Sequence, residues 1–171
     1  DIVQDLTKFP WTNIPDECAS MIMTSHLLEH INPVSHNPQL AGLIDLLKSK
    51  KVISQADVDK FIGEYEFLGG FIRFMDECWR ILKPGAEFFI AGPYATSPGM
   101  FRDPTHCNFI NEETWAYFSP NDIWYHGSLY KIYAPLPFSI KVNTWNSGGS
   151  FEVVLRKMAL KDLPKGFEVD P

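Results

Sequence analysis

Ala19-Ser20-Met21-Ile22-Met23-Thr24, followed at once by Ser25-His26-Leu27-Leu28-Glu29-His30-Ile31 and closed by Asn32-Pro33, is the stretch whose reading decides the fold. Its first six residues form a short, mostly apolar run, which suits a strand buried in a parallel sheet better than a helix. His26 to Ile31 reads as a short helical turn, ended where Pro33 drives the preceding residue out of the helical region. A second run of the same texture, Glu87-Phe88-Phe89-Ile90-Ala91, lies further along. With helices between them, Met21–Thr24 and Phe88–Ala91 are expected to be adjacent parallel strands of one sheet, buried on both faces.

The helices come from spacing. Leu40, Leu43, Ile44 and Leu47 fall at i, i+3, i+4 and i+7, and Val58, Phe61, Ile62 and Tyr65 repeat the pattern behind a Ser54/Asp57 cap. A third stripe runs through Leu68, Phe71, Ile72, Met75, Trp79 and Leu82 and stops at Lys83-Pro84-Gly85. Upstream, Asp1–Gln4 reads as the end of a short strand, with turn residues at Phe9-Pro10-Trp11 and Pro15-Asp16. Downstream, a Pro- and Gly-rich loop spans Gly92–Ile110, and Asn111-Glu112-Glu113 caps a short helix carrying Trp115 and Phe118. Two further strands are expected near Phe138–Val142 and Phe151–Leu160. This order implies a single α/β domain over residues 1–171 with a mainly parallel sheet. Ligands in such sheets sit at the carboxyl ends of the strands, here at Ser25-His26 and Gly92-Pro93-Tyr94.

Composition narrows the function classes. With 171 residues and 45% hydrophobic content the chain can build a real core. A formal charge of −6 disfavours nucleic acid, whose phosphates want a basic surface. Cys18, Cys78 and Cys107 are an odd number without CxxC spacing, which reads as reduced thiols in a cytoplasmic protein. No apolar run has the length of a membrane span.

Three segments together resemble the class I S-adenosylmethionine-dependent methyltransferases. Asp5-Leu6 before Phe9-Pro10-Trp11 is similar to the acidic loop after that family's third strand. Thr24-Ser25-His26-Leu27-Leu28-Glu29-His30-Ile31 is similar to its "LEH" signature after the fourth strand. Trp79-Arg80-Ile81-Leu82-Lys83-Pro84-Gly85 is similar to "RvLKPGG" before the fifth, with Ala86 in place of the second glycine. The resemblance covers residues 1–93 and reaches the tail by topology. It implies a three-layer Rossmann-like sandwich whose first strands lie outside this sequence, with a helical insert at about 32–66 serving as a lid or partner surface. It also implies that Asp5 and Leu6 read the adenine of S-adenosylmethionine and that Thr24, Ser25 and His26 border its methionine end.

On the acceptor side, His106 is a candidate general base and Tyr94 a candidate positioning residue, both just beyond a strand's carboxyl end. Their competing role is structural, as parts of a proline-held loop in which His106 and Asp103 bond backbone. His26-x-x-Glu29-His30 also spells an inverted zinc-protease motif. That motif belongs mid-helix, whereas here it begins at a strand end, so the expectation is no zinc on His26 and His30, and His30 reads as a packed histidine bonded to backbone. The functions in play are methyl transfer to an unidentified acceptor, a non-catalytic methyltransferase-like interaction module, and a zinc hydrolase. Without the glycine-rich loop the chain as written is expected to bind S-adenosylmethionine poorly and to self-associate or need a missing N-terminal segment.

Overall fold

The computed structural model describes residues 2–6, 9–31 and 70–167. The two helices expected within 40–65 and the insert at 32–66 lie outside the described residues. The fold is mixed α/β with one open four-stranded sheet. Strand β1 (Ala19–Ser25) leads into a 3-10 turn at Leu28–His30. Helix α1 (Gly70–Ile81) runs directly into β2 (Leu82–Pro93). A short helix α2 (Pro98–Arg102), a 3-10 turn at Thr114–Phe118 and a single turn α3 (Tyr130–Tyr133) follow. Strands β3 (Phe138–Trp145) and β4 (Ser150–Lys157) complete the sheet, in the order β1-β2-β4-β3.

The expected pair of parallel neighbours is present: Ile22 pairs with Phe88 and Thr24 with Ile90. The sheet as a whole departs from the expectation of a mainly parallel one. β4 runs antiparallel to both β2 and β3. The cause is local: only four residues, Asn146 to Gly149, separate β3 from β4, and so short a link can only reverse the chain. β4 then enters the place beside β2, where Phe88 meets Leu155 and Ile90 meets Val153.

Burial on both faces is also corrected. One face carries Phe88, Ile90, Phe138, Phe151, Val153 and Leu155, packed with Phe74, Met75, Cys78 and Ile81 of α1 and with Trp11. On the other face Met21 and Met23 are 54% and 68% exposed, and Val142 is exposed as well. Period-two alternation sends neighbouring residues to opposite faces, so Ile22 turns inward and Met21 and Met23 turn out.

Lys83-Pro84-Gly85 ends the helix as expected, but the chain does not leave the sheet there. Between the positions facing Ala19 and Met21, β2 advances from Leu82 to Glu87. The extra length bulges out with Gly85 in the left-handed region (φ 75°), which glycine enters without Cβ strain. No strand forms over Ile2–Leu6, where Val3 is 94% exposed. No helix among the described residues is long and apolar enough to cross a membrane.

Candidate functional site

The carboxyl ends of β1 and β2 meet where Ser25 pairs with Ala91. The His26 N–H still donates to the Ala91 carbonyl at 2.9 Å. At φ 52° His26 then turns the chain off the strand through the left-handed region, uncommon for a residue with a Cβ. The following 3-10 turn brings Glu29 back beneath the end of β2, where it is 1% exposed. Gly92 makes the room for it. A Cβ at that position would stand 3.3 Å from Glu29 Oε2 and 3.1 Å from the Phe151 ring.

His106 reaches the same place from the long loop. Ser97 accepts from the Met100 N–H, and Pro98 begins α2 with the φ a helix needs. The loop is then zipped to the 3-10 turn: the Cys107 and Asn108 N–H groups donate to the Glu29 carbonyl at 2.8 and 3.2 Å. Asn108 Nδ2 donates to the Leu28 carbonyl at 2.8 Å. The Cys107 thiol faces the Glu29 and Ile31 carbonyls, and partial burial pushes its pKa up. Held this way, His106 Nδ1 lies 3.0 Å from the Met100 carbonyl and Nε2 lies 4.0 Å from Glu29 Oε1. A carbonyl only accepts, so Nδ1 carries a hydrogen, and in the neutral ring Nε2 is the nitrogen with the lone pair.

His30 stands beside it, its ring 4.6 Å from that of His106 and edge-on to it. It is exposed and bonds a side chain, not the backbone: Nδ1 is 2.9 Å from Thr105 Oγ1. The Thr105 hydroxyl donates to Asp103 at 2.7 Å, so it accepts from His30. Those Thr105 hydrogen bonds hold the Asp103 carboxyl below its ordinary range. His26 covers the entrance, with Nδ1 3.4 Å from Glu29 Oε1 and its side chain 66% exposed. Glu29 itself has neither carboxylate oxygen hydrogen-bonded. One ligand atom from each of Glu29, His30 and His106 lies within 4.8 Å of the others.

The remaining expected residues are placed by their own elements. Thr24 is half-buried, its Oγ1 enclosed and without a hydrogen-bond partner. Ser25 is exposed and, with Thr24, lines an open cleft of about 280 Å³ that includes Ala91 and Val154. Asp5 is exposed, and Leu6 packs at the edge of the core. Tyr94 is buried and donates to Glu112 at 2.6 Å, a bond that raises the phenol's pKa. His106 and Tyr94 are thus held by different partners, one facing Glu29 and the other Glu112. Arg80 of the "RvLKPG" segment is a clamp. It donates to the Trp11 and Ile14 carbonyls at 3.1 and 2.9 Å, to Glu77 at 2.8 Å and to Asp16, fixing the loop before β1 against α1.

Sequence reasoning missed the enclosure of Glu29, the capped helix α2, and the roles of Gly92 and Asn108. Ser97-Pro98 was a legible start signal for α2. Comparison with known protein families and with curated proteins finds no match to the chain.

Proposed function

We propose that the chain is the cofactor- and acceptor-bearing end of an S-adenosylmethionine-dependent methyltransferase. One observation carries the reading: β1 and β2 are adjacent and parallel, and Ser25-His26 and Pro93-Tyr94 leave the same edge of the sheet. That edge is where open α/β sheets take ligands. The Arg80 clamp supports it by tying the Trp11–Asp16 loop to the helix that feeds β2. The tail, with β4 set between β2 and β3, resembles the closing strands of that fold. The three-layer Rossmann-like sandwich of that family belongs to this proposal.

In this reading Asp5 and Leu6 take the adenine, and Thr24, Ser25 and His26 border the methionine end. The acceptor approaches from the Tyr94–His106 side. His106 keeps a lone pair on Nε2, so it is the proton acceptor of the loop. An in-line attack on the methyl needs orientation more than a strong base, and holding the two reactants in place supplies most of the acceleration.

The test is a titration of the ¹⁵N-labelled chain with S-adenosylmethionine, read by amide shifts, which detect weak binding. Saturable shifts at Leu6, Thr24, Ser25 and His26 are expected. Unmoved amides at millimolar cofactor, or shifts confined to other parts of the sheet, would overturn the assignment.

A further inference from the structure

A buried carboxylate without a hydrogen bond is costly. Leaving a charged acceptor unsatisfied costs more than the roughly 1–3 kcal/mol of a neutral group, and native structures seldom do so without a reason. Glu29 is in that position on both oxygens, at 1% exposure. The groups that face it are nitrogen atoms of His106 and His26, at 4.0 and 3.4 Å, beyond hydrogen-bonding geometry.

The two histidines of the cluster are prepared alike. His106 gives its Nδ1 hydrogen to the Met100 carbonyl, and His30 gives its own to Thr105, which is itself oriented by Asp103. Each imidazole is thereby fixed in one tautomer with Nε2 left as a donor atom. Metal-binding histidines are oriented in this way, the far nitrogen bonded to a carbonyl or to a hydroxyl–carboxylate chain. Gly92 keeps the carboxylate's place clear from the β2 side.

We infer that Glu29, His30 and His106 form a binding site for one divalent transition-metal ion of the zinc or iron(II) class. Two imidazoles and one carboxylate suit these borderline ions, whereas calcium and magnesium take oxygen ligands. Bonds to such an ion run at roughly 2.0–2.2 Å. Ligand atoms already within 4.8 Å of one another close around it with a shift of about an ångström. The site departs from the expectation of no metal, and it is not the pair that the H-x-x-E-H spelling suggests. His26 stands outside the set, and the third ligand comes from a loop more than seventy residues later. Its place at the carboxyl ends of β1 and β2 puts the ion beside the proposed acceptor; with the ion bound, His106 Nε2 is a ligand and not a base, so the inference stands on the cluster's own geometry and is independent of methyl transfer.

The test titrates cobalt(II), with zinc as competitor, into the metal-stripped chain without any cofactor, and reads the visible d–d absorption. One equivalent of cobalt(II) displaced by zinc is expected. Glu29→Gln and His106→Ala should each weaken binding at least tenfold, and His26→Ala should leave it within about threefold. Circular dichroism checks the folding of the two buried variants. His30→Ala decides independently, because His30 is exposed and its loss should spare the fold while weakening cobalt binding at least tenfold. No one-to-one spectrum, binding that survives His30→Ala in a folded chain, or binding abolished by His26→Ala would overturn the site.

Discussion

Asp76, half-buried on α1, shows how one partly enclosed acid shapes stability. Burial raises its pKa from 3.8 to about 6, against the lowering effect of the Leu136 N–H, which donates to it at 2.8 Å. The folded chain therefore binds this proton more tightly than the unfolded chain does. The resulting stabilisation is complete below the unfolded value near 3.8 and is lost as pH rises through 6. The span corresponds to about 3 kcal/mol. Asp76→Asn keeps an oxygen for Leu136 and never ionises. It is expected to melt several degrees higher than the native chain above pH 6 and to converge with it in more acidic buffer, nearer 3.8. Melting curves that run parallel across that range would count against the assignment. At this scale little of the site was legible. His106 was visible as a histidine beyond a strand end, and Ser25 and His26 as a strand-end turn. The enclosure of Glu29 was not, because it depends on Gly92 and on a clasp between segments far apart in sequence. The hydrogen bond from the Tyr94 hydroxyl to Glu112 was not legible either, because local pattern does not reveal that partner.

At the scale of elements, periodic and apolar runs succeeded, and so did short turns that carry a cap or a proline stop, at Leu28–His30 and Thr114–Phe118. The stripe through Phe71, Ile72, Met75 and Trp79 located α1, although its expected last member, Leu82, begins β2, and the apolar runs located β1 and β2 as parallel neighbours. The short helices α2 and α3 display no period, and they escaped. The direction of β4 was legible in principle from the short Asn146–Gly149 link, but continuity of apolar strands weighed more heavily and gave a parallel sheet. Arg80 is the strongest tie between elements. Its guanidinium joins α1 to two carbonyls and Asp16 of the loop before β1, and the bonds to Glu77 chiefly hold its pKa above the ordinary arginine value. Glu77 completes the joint by accepting from the Trp11 N–H at 2.8 Å. Arg80→Ala removes several charge-assisted bonds, leaving two carbonyls without this donor and Glu77 with the Trp11 N–H. Urea unfolding is expected to show a loss of roughly 2–4 kcal/mol. Arg80→Lys should recover only a minor part, because an ammonium cannot fork to Trp11, Ile14 and Glu77 at once. Full recovery by lysine would mean that charge alone, and not the planar fork, holds the loop.

For the whole molecule the open edge of the sheet is the decisive feature. β1 has β2 on one side and, among the described residues, no strand on the other. A row of backbone N–H and C=O groups in that position is a template for another extended chain. Proteins usually blunt such an edge with charge, a bulge or proline, but Ala19–Ser25 holds no charged residue and no proline. Its outward side chains, Met21 and Met23, add apolar surface beside the bare backbone. The net charge of −6 works against association, but salt screens it within about 8–10 Å, and the short-range pairing of strands survives that screening. Reversible self-association through β1 is the expected outcome, stronger at high salt than at low. Sedimentation velocity over a range of concentrations reads it directly. Met23→Lys places a charge at the middle of the edge, on a side chain that is 68% exposed, so the melting temperature should hardly move while the equilibrium shifts toward monomer. A chain that sediments as a monomer at every concentration and salt, or a Met23→Lys variant that associates as strongly as the native chain, would show that the edge is covered by another part of the molecule.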